Sequence, residues 1–339
     1  AIAQTVELAK VRHGIGASKL ANAVLRRVDR EHEGLQPAIP SEEVEALGVK
    51  YSHPTWIVRR WLSRWGSEET EALLAHNNTE APVVLRPFGI VREQLEAMLE
   101  TAGVHVQDAP LNRDSIQISG GITLTELGAY RQGLFFIQDP ASTLVTQYAA
   151  IPADSIAADL CAAPGGKSLE MSHVARMVVS ADRSPARITR MIANRNRLEA
   201  ANMFSIAADA RFPAIRPVDA VLVDAPCTGT GTFRRHPDAR WRLRVSDLAV
   251  MSSLQSALLR AASDVVKPGG LLIYSTCSLE SEENEDQIET FLAANSEWSL
   301  EPPPAGTVPA ETLDNGFLRV LPHRHGTDGS FAARLRRIE

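Results

Sequence analysis

The chain has 339 residues, 44% of them hydrophobic and 22% charged, with a net charge of −6 and three cysteines. That composition excludes a disordered chain and a disulfide scaffold, and no apolar run approaches the ~20 residues of a membrane span. No secretory signal pattern opens the chain, and the low, odd cysteine count points to a reducing cytoplasm, with each thiol free for chemistry or burial.

The acidic total speaks against a nucleic-acid partner only until the charges are located. Arg234, Arg235, Arg240, Arg242 and Arg244 crowd one stretch, and Arg183, Arg187, Arg190, Arg195 and Arg197 another. Glu280, Glu282, Glu283, Glu285, Asp286 and Glu289 concentrate acid elsewhere. Taken singly, each run reads as a solvated helix face. The first arginine run stands apart because it directly follows a turn with catalytic character.

The length favours two or three domains. Residues 1–30 carry Leu20, Val24 and Val28 at four-residue spacing, which predicts a helix. The chain starts without Met inside this pattern, so a larger N-terminal domain is expected ahead of it. Residues 31–41, with Gly34, Pro37 and Pro40, read as a linker. Val58, Trp61, Leu62 and Trp65 predict a helix from Pro54, with the tryptophans in a core rather than stacking on bases. A second helix is expected over 68–76, ending at Asn77-Asn78.

Residues 81–138 then alternate in a definite order. Strands are expected at 83–86, 104–107, 116–119 and 134–138, with helices after Val91 and over 123–130. That is β-α-β-β-α-β, the ferredoxin-like order shared by RNA-recognition modules, without their aromatic-rich signature. We read it as a small basic-to-neutral platform.

From 139 the alternation becomes regular. Strands fall at 156–161, 177–181, 203–207, 219–224 and 271–276, and helices near 166–176, 185–200, 246–265 and 283–295. Segments 317–321 and 330–335 supply an antiparallel hairpin. The fold class is α/β, a doubly wound Rossmann-like sheet preceded by helices and an α+β domain. The expected domains are 1–40, 41–80, 81–138 and 139–339.

Three turns at strand ends would share one edge of that sheet. The first, Asp159-Leu-Cys-Ala-Ala-Pro-Gly-Gly-Lys-Ser168, reads as strand, tight turn and helix start, where backbone N–H groups approach a ligand. Asp182 ends the next strand at the spacing that grips a ribose, Asp209 follows the third, and Asp224 ends the fourth. The dinucleotide fingerprint is absent. A phosphate loop nearly fits at 161–168 with Cys161 in place of its first glycine, which keeps an NTPase as an alternative. Against it, the turn is short, contains Pro164, and faces carboxylates that repel a triphosphate. These pockets suit a cofactor with hydroxyls, an adenine and a cationic centre, such as S-adenosylmethionine. Asp224-Ala-Pro-Cys227 and Ser275-Thr-Cys277-Ser278 place two thiols 50 positions apart at strand ends beside that turn. A thiolate there is a strong nucleophile if its surroundings lower its pKa.

These motifs, with Arg234-Arg-His-Pro-Asp238, resemble the RNA cytosine-5 methyltransferases, above all the bacterial Sun/Fmu, RsmB-like ribosomal RNA type. The resemblance covers nearly the whole chain. Residues 16–27 are similar to the last helix of the NusB-like domain that precedes the catalytic part in that type, most of which is absent here. The resemblance implies that Cys277 is the nucleophile, adding to C6 of cytosine. Asp224 would stabilise charge at N3, and Cys227 would assist release. Cys161, Ala162, Ala163, Pro164, Gly165, Gly166, Lys167, Asp182, Arg187, Asp209 and Asp224 would hold S-adenosylmethionine. Arg234, Arg235, His236, Arg240 and Arg242 would hold RNA phosphates around a base splayed out of its stack. No metal is expected. The implied protein is a cytoplasmic monomer acting on small-subunit ribosomal RNA, with no membrane partner. A non-catalytic RNA-binding assembly factor on the same fold is the remaining alternative.

Overall fold

The computed structural model describes residues 2–34, 38–121 and 123–338, so Pro37 of the expected linker lies outside the described residues. The chain divides into two compact units, Ala1–Gly66 and Ser67–Glu339.

The first unit is helical. Helix α1 (Ile2–Glu31) is interrupted at Gly14, and α2 (Glu43–Tyr51) is capped by the Glu42 carboxylate, which accepts from the Glu45 amide. Leu20, Val24 and Val28, whose spacing predicts α1, are exposed. The two helices expected after Pro54 form one run, α3 (Thr55–His76), broken at Gly66 where φ is 78°. Val58 and Trp61 are buried, and the Trp61 ring packs tilted on Trp65 at 6.2 Å.

The second unit begins with the ferredoxin-like order. Strand β1 (Val83–Pro87), α4 (Arg92–Thr101), β2 (His105–Asp108), β3 (Ile116–Ser119), α5 (Gly128–Arg131) and β4 (Phe135–Ile137) follow in turn. The strands form an antiparallel sheet in the order β2-β3-β1-β4, with Val83 opposite Ile118 and Leu85 opposite Ile137. Leu85, Leu95, Leu99, Ile116 and Phe135 close its core.

The large sheet follows. Its strands are β5 (Ile156–Asp159), β6 (Met177–Asp182), β7 (Met203–Ala207), β8 (Val218–Asp224), β9 (Val266–Thr276), β10 (Trp298–Leu300), β11 (Leu313–Asp314), β12 (Phe317–Val320) and β13 (Ser330–Arg337). Helices α6 (Pro140–Ala149), α7 (Gly166–Ser172), α8 (Pro185–Arg197), α9 (Ala239–Arg242), α10 (Val245–Ser263), α11 (Glu285–Ala294) and α12 (Pro322–His325) connect them. The order is β11-β12-β13-β9-β8-β5-β6-β7, with β10 beside β13. Strands β7, β6, β5, β8 and β9 run parallel, and β13 runs antiparallel to β9. Val221, Leu222 and Val223 of β8 are buried on both faces, which is why that strand reads as an unbroken apolar run. The chain leaves β5 toward β6 on one side and β8 on the other. A crevice opens at that reversal, beyond the carboxyl ends of the strands.

The small sheet is fixed to the large one by its last strand. Phe136 packs with Leu169, Ile188 and Met191. Arg197 donates to the Tyr130 and Phe135 carbonyls at 3.1 and 2.9 Å and stacks on the Tyr130 ring. Gly133 sits beneath this clamp at φ 71°, where a Cβ would stand 2.0 Å from the Arg197 carbonyl oxygen. Only glycine satisfies both conditions. Val84, Tyr130, Phe136 and Ile137 thereby line the crevice together with the strand ends.

Candidate functional site

The glycine turn is anchored by backbone and carboxylate. The Leu160 amide donates to Leu222 on β8 and the Ala162 amide to Ala181 on β6. The turn thus hangs between the two neighbouring strands. Gly165 has φ 106°, and a Cβ there would meet Met191 at 2.8 Å. Ser168 donates to Asp159 Oδ2 at 2.7 Å, while Asp159 Oδ1 is buried without a protein partner. Burial is the main cause that lifts the Asp159 carboxyl to about 7, against the Ser168 bond that lowers it.

Lys167 reaches across the crevice to Asp224 Oδ2 at 2.8 Å, and Ser275 donates to Asp224 Oδ1 at 2.8 Å. Burial works against the Lys167 charge. Asp224, with Asp159 and Cys277 behind it, outweighs that and holds its pKa above the ordinary lysine value. A phosphate-loop lysine needs its ammonium free for a phosphate; here a carboxylate takes it.

Two hollows flank the turn. One, of about 490 Å³, is lined by Ile137, Asp159, Ala163, Lys167, Asp224 and Asp328 among others. The other, of about 130 Å³, is lined by Cys161, Asp182, Arg187, Asp209, Pro226 and Met251. Asp182 is buried; its Oδ1 accepts from the Ser184 amide, and Arg187 lies 3.1 Å from Oδ2. Arg187 also donates to the Ala163 carbonyl. Asp209 is held at about 2 by its hydrogen bonds with Arg211. Burial, followed by the surrounding carboxylates, pushes the Cys161 thiol far up. It stays protonated and unreactive.

The other two cysteines meet. Cys227 Sγ and Cys277 Sγ are 3.3 Å apart, one from the turn after β8 and one from the turn after β9. The hydrogen bond to Cys277 is the largest cause that pushes the Cys227 pKa well up, and burial the next. Either thiol can be the donor in this contact. Backbone geometry fixes the approach: Gly231 donates to the Cys277 carbonyl at 2.9 Å and accepts from Gly329 at 2.8 Å. A Cβ on Gly231 would stand 2.7 Å from that carbonyl oxygen and 2.8 Å from Gly329 Cα.

The arginine run divides. Arg240 is buried and donates to Asn78 Oδ1 at 2.8 Å and to the Asn77 and Phe233 carbonyls. Arg235 joins Asp139 and Asp328, each at 2.7 Å, and the Pro82 carbonyl at 3.0 Å. These two were expected to hold RNA phosphates; their donors face protein instead, because burial forces a guanidinium to find partners within the fold. Arg242 and His236 are exposed, and Arg234 is half-buried beside the Gly326 carbonyl. The acidic run is corrected likewise: Glu280 and Glu283 are buried, not on a solvated face.

Asp139, Asp328 and Glu283 join the site without being singled out as site residues by the sequence, and Ser275, in the second cysteine turn, gains a role as a donor to Asp224. For Glu283 a signal existed. No Lys or Arg occurs between residues 268 and 318, so the acids there have none of the i,i+4 basic partners that a solvated helix face usually carries.

Comparison with known proteins matches this architecture. The family model described as 16S rRNA methyltransferase RsmB/F matches residues 149–336, and the RsmF/B-like ferredoxin-like domain matches residues 53–125. The chain is 33% identical to the probable ribosomal RNA small subunit methyltransferase B of Synechocystis sp., covering 98% of this chain and 77% of that protein. It is 33% identical to ribosomal RNA small subunit methyltransferase B of Vibrio cholerae, over 98% and 75% of the two chains. The crystal structure of PH0851 superposes with a TM-score of 0.87 at 30% identity, over 98% of this chain and 75% of that one.

Proposed function

The chain belongs to the 16S rRNA methyltransferase RsmB/F family, and from that premise we propose that it methylates C5 of a cytosine in small-subunit ribosomal RNA through covalent addition of Cys277 to C6. One observation carries the reading: the 3.3 Å contact of two thiols at adjacent strand ends. Sequence spacing left the choice of nucleophile to family resemblance. That choice stands on the resemblance, and the contact supports two thiols acting on one base.

S-adenosylmethionine is the methyl donor, supplying an electrophilic methyl group. The residues present fit it. The unpartnered, buried Asp159 Oδ1 calls for a cationic donor such as an amino group, and the hollow with Asp182 and Asp209 suits hydroxyls and an adenine. The turn 161–167 would hold it between the two hollows.

Cys277 would form a bond from Sγ to C6, which makes C5 nucleophilic. Asp224, oriented by Lys167 and Ser275, would bond to N3 and stabilise the charge developing on the ring. Cys227 would assist release: as a base takes the C5 proton, the C5–H electron pair closes the C5–C6 double bond and the C6–Sγ bond breaks, its electron pair returning to Cys277. The reacting base must leave its stack to enter the crevice. Arg234, His236 and Arg242 would hold the neighbouring phosphates. Among the described residues no helix is long and apolar enough to cross a membrane, consistent with an enzyme that meets its RNA in the cytoplasm.

The test is a pair of variants incubated with cofactor and ribosomal RNA. Cys277→Ala should bind S-adenosylmethionine and transfer no methyl group. Cys227→Ala should accumulate a covalent protein–RNA adduct, seen as a shifted band on a denaturing gel. Substantial turnover by the first variant would remove Cys277 as nucleophile. Absence of the band in the second would remove the release role of Cys227.

A further inference from the structure

One buried carboxylate touches both cysteine turns and belongs to neither. Glu283 is fully buried, in the short turn Ser281–Glu283 that leads into α11. Its Oε1 accepts from the Thr228 amide and from Gln255 Nε2, each at 2.9 Å. Its Oε2 accepts from the Ser278 hydroxyl at 2.5 Å and from the Thr228 hydroxyl. Thr228 is the residue after Cys227, and Ser278 the residue after Cys277. Gln255 reaches from α10 and donates as well to the Pro226 carbonyl at 2.9 Å, directly ahead of Cys227. The Tyr274 hydroxyl donates to the Glu283 carbonyl at 2.7 Å, which fixes the backbone that carries the carboxylate.

We propose that Glu283 is the positioning residue of the thiol pair: a single buried carboxylate clamps the two cysteine turns together and sets which sulfur is left to attack. A purely structural tie between two loops does not require an anion, since well-packed apolar residues join loops at no desolvation cost. An anion here has a chemical consequence. Charge-assisted bonds to four donors hold Thr228 and Ser278 in one geometry, and so hold the two sulfurs within hydrogen-bond reach. The negative charge also adds to the causes that keep Cys227 protonated, after the Cys277 bond and burial. Removing it loosens the spacing and frees the proton at once. This inference rests on the proposed roles of the two cysteines.

The experiment compares the full chain with Glu283→Gln. Methyl transfer to ribosomal RNA is measured together with iodoacetamide alkylation of each cysteine across pH, read by peptide mass spectrometry. In Glu283→Gln, kcat should fall by about a hundredfold with KM for RNA changed less than threefold, and Cys227 should alkylate at lower pH than before. Turnover within threefold of the parent, or an unmoved Cys227 alkylation profile, overturns the proposal.

If Glu283→Gln does not fold, Thr228→Val and Ser278→Ala each remove one hydroxyl donor and leave the carboxylate. Each should lower kcat at least tenfold with KM little changed, and parental turnover by both overturns the clamp. The cysteine variants separate the two failures. An inactive Cys277→Ala and an adduct-forming Cys227→Ala beside a Glu283→Gln of parental behaviour reject this inference alone.

Discussion

Lys167 and Asp224 meet at 2.8 Å and join the glycine turn after β5 to the cysteine turn after β8. The pair lies where cofactor and base would face each other, and Ser275 from β9 completes it at 2.8 Å. One carboxylate at the end of β8 is thus oriented by residues from two neighbouring strand ends. Asp224 and Ser275 are directly opposed in the β8–β9 register, so the sheet itself sets the Ser275 bond. Ser275→Ala should therefore leave the fold and cofactor affinity near the parent values while lowering kcat. A hydrogen bond to a charged group contributes about 1.5–3 kcal/mol, so the loss should be roughly tenfold to a hundredfold. Single-turnover methylation checks it, and a rate equal to the parent's would show that Asp224 needs no such support.

Asp159 ties cofactor binding to pH. Its folded carboxyl titrates near 7, raised chiefly by burial. A cationic amino group binds the ionised form, so affinity for S-adenosylmethionine should fall as pH drops from 8 to 6. Binding near pH 7 should release a fraction of a proton. Calorimetry in buffers of different ionisation enthalpy measures that release directly. A flat profile would remove Asp159 from the cofactor site.

The same group makes a stability prediction of opposite sign. A carboxyl raised from 3.8 to about 7 binds more protons in the folded than in the unfolded chain between those values. Stability from this group is therefore lost as pH rises through that window. The full difference is on the order of 4 kcal/mol above pH 7. Asp159→Asn should raise Tm at pH 8 and lose that advantage toward pH 4, while binding cofactor poorly. Thermal unfolding at the two pH values decides it.

Gly231 is where three segments touch: its own loop, the Cys277 carbonyl and Gly329 ahead of β13. The atoms it would meet are backbone atoms with little freedom to retreat. Gly231→Ala should push the Cys277 turn away from Cys227 and lower Tm, with a cost of about 1–3 kcal/mol for an overpacked site. Alanine at Gly121, whose Cβ would meet none of the described residues beyond its chain neighbours within 4 Å, is the control and should change neither Tm nor turnover.

Much of this site was legible because the fold is locally consistent. Strands β5, β6, β8 and β9 of the large sheet are apolar runs ending in Asp or Thr, and each end leads into a turn. Asp159, Asp182, Asp224, Cys227 and Cys277 could therefore be assigned to one sheet edge from periodicity alone. The helix from Pro54 was harder. Its pattern continues through Gly66, and only the positive φ there separates the two helical segments, two residues ahead of the expected second start at 68. What was illegible was long-range pairing. Glu283 and Arg240 have the composition of a solvated face, and their burial follows from partners 55 and 162 positions away. No local window contains those partners.

That distinction yields the last prediction, on RNA affinity. Arg240 and Arg242 are two residues apart on α9 and face opposite environments. The Arg240 guanidinium is buried against Asn77, Asn78 and Phe233. Burial lowers its pKa without removing the charge, and truncation removes three donated hydrogen bonds, to Asn78, Asn77 and Phe233. Arg240→Ala should cost about 2–4 kcal/mol of stability. It should leave the salt dependence of RNA binding intact in the fraction that folds. Arg242 is exposed and pairs only with exposed Asp238 among its described ion pairs, a contact of little stability value. Arg242→Ala should leave Tm unchanged, weaken RNA binding across sequences, and reduce the slope of log affinity against log salt by about 1. Filter binding at several salt concentrations, with thermal unfolding alongside, separates the two. If Arg240→Ala flattens the salt slope while Arg242→Ala does not, the phosphate contacts lie on the face of α9 that the structure buries, and the RNA path proposed from the exposed residues is wrong.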